Sequence, residues 1–129
     1  INPAEITQSV IEQSRRFLKI NTLPEDFFGC FVTKLDPEDE KKFNEIRAYY
    51  TQEEIEELGL YQLHPICKIA YQLINQELRV FINGEIFNCS DIDEKLIVSF
   101  SNTRKLQLSN KSRDLVERLV SLSLIDKST

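Results

Sequence analysis

The chain has 129 residues, of which 41% are hydrophobic and 29% charged, and its 16 Lys/Arg against 21 Asp/Glu leave a net charge of −5. That is enough apolar material for one domain, or two small subdomains, with a real core, and the acidic balance disfavours a body built to hold a phosphate backbone. No apolar run approaches the roughly 18 residues of a membrane span, and the charges threaded through "INPAEITQSVIEQSRRF" are unlike a signal peptide, so a soluble, cytoplasmic protein without membrane contact is expected.

Charge is unevenly placed. Residues 1–100 carry 10 Lys/Arg against 18 Asp/Glu, whereas residues 101–129 carry 6 against 3. With no methionine and an isoleucine at position 1, the chain is expected to be a piece of a longer protein.

Asn2-Pro3-Ala4-Glu5 sets an N-cap, a proline at N1 and a glutamate at N3. Ile6, Val10, Ile11, Phe17 and Leu18 then keep to one side, which predicts a helix to about residue 20. Thr22-Leu23-Pro24-Glu25 repeats the signal and opens "DFFGCFVTKL", where Phe27, Phe28, Phe31, Val32 and Leu35 make a strongly apolar segment. Gly29 inside it costs about 1 kcal/mol relative to alanine, so it is expected to mark the close approach of another backbone. Asp36-Pro37 starts a third helix through Phe43 and Ile46 toward Tyr49, and Thr51-Gln52-Glu53-Glu54 starts a fourth that Gly59 closes.

Beyond Gly59 the period becomes strand-like. "LYQL", "CKIAYQLI" and "LRVFI" predict short strands interrupted at His64-Pro65 and around Asn75-Gln76, the second and third pairing across that break. In "RVFINGEIFN" the Asn83-Gly84 pair predicts a two-residue type I′ hairpin, which needs positive φ at both positions. Ser90 is then expected to cap a helix over residues 91–100, "RKLQL" to add a short strand, and Ser109 to cap a last helix. Leu115, Val116, Leu119, Val120 and Leu122 form the apolar stripe of that helix. The expected fold class is α+β: an N-terminal helical bundle over residues 1–59, then a small winged-helix-like α+β domain over residues 60–129 with its elements in an unusual order.

Reaction chemistry is hard to assemble from these residues. His64 is the single histidine, whereas a mononuclear iron oxygenase site needs two histidines and a carboxylate and a catalytic zinc site two or three histidines. A Cys/His nucleophilic pair is formally open, but no local motif supports it. Cys30, Cys67 and Cys89 lack C-x-x-C spacing and read as buried reduced thiols. "EEIEE" at Glu53–Glu57 reads as a solvated helix face, and "SDIDEK" places Asp91 and Asp93 in a helix's first turn, where negative charge favours the dipole. Three scattered glycines make no phosphate loop. No catalytic, cofactor-binding or metal-ligating residue is therefore expected in this chain.

Two surface features remain. A helical half of about 60 residues is too small to hide all its apolar faces, and Phe17, Phe27, Phe28 and Phe31 are the expected homodimer interface, symmetric dimers being the commonest assemblies. Arg104, Lys105, Lys111 and Arg113, with Arg118 nearby, are the basic concentration. In a DNA-binding winged helix the last helix enters the major groove, but Asp114 and Glu117 interrupt its face, so a solvated surface is expected and nucleic-acid binding is the alternative.

"DFFGCFVTK", "LHPICKIAY", "LRVFINGEIF" and "SRDLVERLVSL" together resemble the region that follows the catalytic barrel in cupin/JmjC-type ribosomal oxygenases. These are Fe(II)- and 2-oxoglutarate-dependent protein hydroxylases similar to the bacterial ribosomal-protein arginine hydroxylase. The best-matching motifs are F-G-x-F-x-T at Phe28–Thr33 and the strand-N-G-E run at Val80–Glu85, and neither is catalytic. The resemblance implies a noncatalytic dimerisation and protein-contact region. Iron and 2-oxoglutarate are expected in the parent's barrel, and the implied partners are that barrel, a second copy and a ribosomal protein substrate. The family's aromatic ending is replaced here by "LIDKST", which puts the final strand in question.

Overall fold

Two tight corners organise much of the β-structure, and each opens on an asparagine in left-handed backbone. The computed structural model describes residues 2–10, 25–49 and 59–127. Within it Asn75 and Gln76 have φ of 51° and 66°, and Asn83 and Gly84 have φ of 52° and 85°, as two-residue type I′ hairpins require. The elements are α1 (Glu25–Thr33), α2 (Pro37–Tyr49), β1 (Leu60–Leu63), β2 (Ile69–Ile74), β3 (Glu77–Ile82), β4 (Glu85–Phe87), α3 (Glu94–Thr103), β5 (Lys105–Gln107), α4 (Arg113–Ser121) and β6 (Ile125–Lys127). None of the described helices is long and apolar enough to cross a membrane. The fold is mixed α+β with two small antiparallel sheets, and its contacts define two units, Ile1–Lys34 with Lys68–Ser90 and Leu35–Cys67 with Asp91–Thr129.

In the first unit the corners fold β2, β3 and β4 into a meander, paired from Ile69↔Ile82 to Ile74↔Glu77 and from Val80↔Phe87 to Ile82↔Glu85. Strand alternation puts Ala70 and Phe81 on one face, and α1 lies on that face. Ile6, Phe28, Ala70 and Phe81 form one apolar cluster against which Cys30 packs. Asp26 accepts from Arg79 Nη1 at 2.7 Å, tying the start of α1 to β3.

The helix expected from Asn2-Pro3 does not form there. Residues 2–5 make a turn, with the Glu5 N–H on the Asn2 carbonyl. The chain then runs parallel to β2, Tyr71 N–H donating to Ala4 O and Ile6 N–H to Tyr71 O, both at 2.7 Å. Backbone groups of the β2 edge outcompete the local cap, and Ala4 and Ile6 are buried as a result. Helix begins instead beyond Thr7, whose Oγ1 accepts from Val10 N–H. Ile11, Phe17, Leu18 and the helix expected over residues 51–58 lie outside the described residues. Among those described the N-terminal part shows no helical bundle: α1 packs its buried face on a sheet, not on other helices.

In the second unit β1 is central, pairing with β5 through Tyr61↔Leu106 and with β6 through Leu63↔Ile125. Tyr61, Leu63, Leu106 and Ile125 are buried, and alternation gives them one shared face. The core is completed by Ile97 and Phe100 of α3 and by Leu115, Val116 and Leu119 of α4. Asp36 opens α2 by accepting from Asp39 N–H at 2.8 Å, with Pro37 at N1 and acidic residues through the first turn. The helix expected from residue 91 starts at Glu94, capped by Asp93. Ser109, expected to cap the last helix, lies one turn ahead of it: it exchanges backbone-to-hydroxyl bonds with Ser112, and Ser112 is the N-cap of α4. The questioned final strand is present as β6.

Candidate functional site

The two motifs at Phe28–Thr33 and Val80–Glu85 meet in the first unit. A Cβ placed on Gly29 would lie 2.3 Å from the ring of Phe81, which is 0% exposed. Gly29 thus makes room for an aromatic side chain, not for the backbone expected. One turn later the buried Thr33 hydroxyl donates to Gly29 O at 2.9 Å and accepts from Gly84 N–H at 3.0 Å. The hairpin corner is therefore docked on the end of α1. It is closed from its other side by Asn83, whose Oδ1 accepts from Lys68 N–H and whose N–H donates to Lys68 O.

With Gly29 against the sheet, Phe27 and Phe31 lie about 200° round the helix and point away from it. They are 55% and 58% exposed, and their rings stack with centroids 6.4 Å apart. Val32 beside them is 40% exposed. Phe28 is 3% exposed; it belongs to the core and offers no surface. Phe17 lies outside the described residues.

In the second unit α3, β5 and α4 form a helix–strand–helix sequence whose arginines are engaged. Arg104 closes α3 in left-handed conformation, φ 63°. Its guanidinium donates to the carbonyls of His64 and Cys67 at 3.1 and 2.8 Å, so it fastens the turn after β1. Arg113 lies 3.9 Å from Glu117. Arg118 grips both carboxylate oxygens of Asp91, 2.8 Å for Nη1 to Oδ1, and reaches Asp114 at 3.1 Å. That pairing holds the Asp91 carboxyl below its usual range and raises Arg118 further. Lys105 and Lys111 are exposed.

His64 is half-buried, its Nδ1 accepting from Ile66 N–H and its ring edge-on to Phe43. Burial first, then the charges of Asp26 and Glu85, push the Cys30 thiol up, which disfavours the nucleophilic thiolate. Cys67 and Cys89 are buried, and no disulfide forms. Among the described residues no three His, Cys, Asp or Glu side chains are grouped to hold a metal; with one histidine, the chain does not fit the two-histidine, one-carboxylate iron site.

The family described as ROXA-like winged helix matches residues 11–126. The chain belongs to that family. No curated protein and no solved structure gives a significant match. In this ROXA-like winged helix, of the kind found in ribosomal oxygenases, Phe27 and Phe31 come together on one helix face. Phe28 is withdrawn into the core, and Arg104 is taken up by backbone carbonyls. Sequence reasoning missed the Asp91–Arg118 pair, which joins positions 27 residues apart. It also missed the Thr33 hydroxyl bridge, for which the only signal was a threonine at the end of a motif.

Proposed function

We propose that this ROXA-like winged helix is a noncatalytic C-terminal region of an Fe(II)- and 2-oxoglutarate-dependent cupin/JmjC-type protein hydroxylase. Its α1 mediates homodimerisation, and its winged-helix portion packs on the catalytic barrel or on a ribosomal protein substrate. Iron and 2-oxoglutarate chemistry belongs to the barrel. The C-terminal region acts by orientation, holding two barrels and an incoming polypeptide in fixed relation.

The observation that carries the dimer is the Phe27–Phe31 stack, two rings each more than half exposed on a helix whose opposite side is fixed by Gly29 and Thr33. Covering each ring contributes on the order of 1–2 kcal/mol, since about half of a full phenylalanine burial remains to be gained. Sedimentation velocity over a concentration series tests it. The parent chain is expected to dimerise, and Phe27→Asp/Phe31→Asp to be monomeric with an unchanged circular dichroism spectrum. A parent that stays monomeric at every concentration refutes the dimer.

A further inference from the structure

Winged helices that grip duplex DNA lay one helix in the major groove and use its outward side chains. α4 is the last described helix, and the chain's basic concentration lies on and beside it. At about 100° per residue its outward arc runs Arg113, Glu117, Ser121, Asp114, Arg118, opposite the buried Leu115, Val116 and Leu119. The carboxylates hold the centre of that arc and the arginines its margins. Both arginines have acidic neighbours, Arg113 with Glu117 at 3.9 Å and Arg118 with Asp114 and Asp91. Asp91 comes from outside the helix and takes the guanidinium fork with both oxygens, the bidentate geometry that a phosphate would use.

We infer that Asp91, Asp114 and Glu117 form an intramolecular clasp that occupies the arginines of α4 and bars polyanions from this face. This face keeps cations suited to phosphate, and the clasp keeps them occupied. Asp91 is the decisive member, because a carboxylate tethered in the same chain competes with any phosphate at a high effective concentration. Arg104 adds nothing to the face, being held by the carbonyls of His64 and Cys67. Opening the clasp therefore takes the carboxylates away from Arg113 and Arg118, beside the exposed Lys111.

The test is fluorescence anisotropy with a labelled duplex DNA of about two helical turns. At low salt, Asp91→Asn/Asp114→Asn/Glu117→Gln is expected to bind at least about tenfold tighter than the parent. Two to three new phosphate contacts predict that this affinity falls about 10- to 40-fold between 50 and 200 mM salt. Adding Arg113→Ala/Arg118→Ala should abolish the gain. The control Glu38→Gln/Glu40→Gln/Glu45→Gln makes the same change in net charge on α2. Equal binding by this control and the folded clasp variant overturns the proposal, as does a parent that already binds as tightly. Asp91→Asn/Glu117→Gln keeps the first-turn Asp114 of α4 on Arg118 and is expected to show a smaller arginine-dependent gain with a shallower salt slope. A folded double variant without that gain is equally fatal, so a folding defect in the triple variant leaves the test intact.

Discussion

Gly29→Ala sets two opposing effects against each other. Alanine is the better helix former by about 1 kcal/mol, but its methyl carbon would lie 2.3–2.4 Å from three ring atoms of Phe81, where carbon atoms normally keep about 3.5–4 Å. The ring is 0% exposed and clustered with Phe28, Ala70 and Ile6, so it has nowhere to swing. The remaining relief is for α1 to lift from the meander, which stretches the Thr33–Gly84 and Asp26–Arg79 bonds. Overpacking of this kind costs about 1–3 kcal/mol and occasionally more. With the clash at the upper end of that range, net destabilisation of roughly 1–3 kcal/mol is expected after the propensity gain is subtracted. Urea unfolding followed by circular dichroism measures it. Phe81→Leu shrinks the ring, so combining it with Gly29→Ala should cost less than the sum of the two single changes by about 1 kcal/mol or more. A Gly29→Ala chain that is more stable than the parent refutes the steric account.

Thr33→Val keeps the shape but leaves Gly84 N–H without its acceptor, a loss of about 1–3 kcal/mol that should appear as a lower urea midpoint and faster hydrogen exchange at Gly84. Arg104→Ala removes both guanidinium bonds to the carbonyls of His64 and Cys67 and is expected to destabilise by about 1.5–3 kcal/mol. Arg104→Gly should recover about 1 kcal/mol of that because glycine accepts the positive φ without penalty; a glycine variant no better than alanine would contradict the backbone part of this account. Asp91 has its folded carboxyl lowered by Arg118, so its contribution is full above the unfolded pKa of about 4 and fades as pH falls through the lower folded value. Asp91→Asn should flatten the acid limb of stability against pH below about 4, and an unchanged limb would show that the pair contributes nothing measurable.

The elements legible in the amino-acid sequence are those whose signals are local. Asn83-Gly84 announces its turn because two adjacent residues tolerate positive φ, and Asp36-Pro37 announces α2 because the cap and the proline act within one turn. Asn2-Pro3 carries an equally good cap and fails, because the backbone of Ala4 and Ile6 meets Tyr71 across more than 60 residues of sequence. Asp91 illustrates the same limit at the candidate surface. Read locally it is a first-turn helix charge, whereas its partner is on α4 and the helix begins only at Glu94.

Composition and short-range pattern thus sufficed for the element types from Glu25 onward among the described residues, the two-residue hairpin and the family resemblance, because those caps, turns and apolar periods are settled within a few residues. Which phenylalanine of the Phe27-Phe28 pair faces solvent was settled by packing, since helix periodicity separates them by about 100° but cannot say which side the meander will take. The same holds for the cations of the last segment. The sequence shows their number, and the folded chain assigns Arg104 to carbonyls and Arg118 to carboxylates, because hydrogen-bond partners are chosen by proximity in space, which no local pattern encodes.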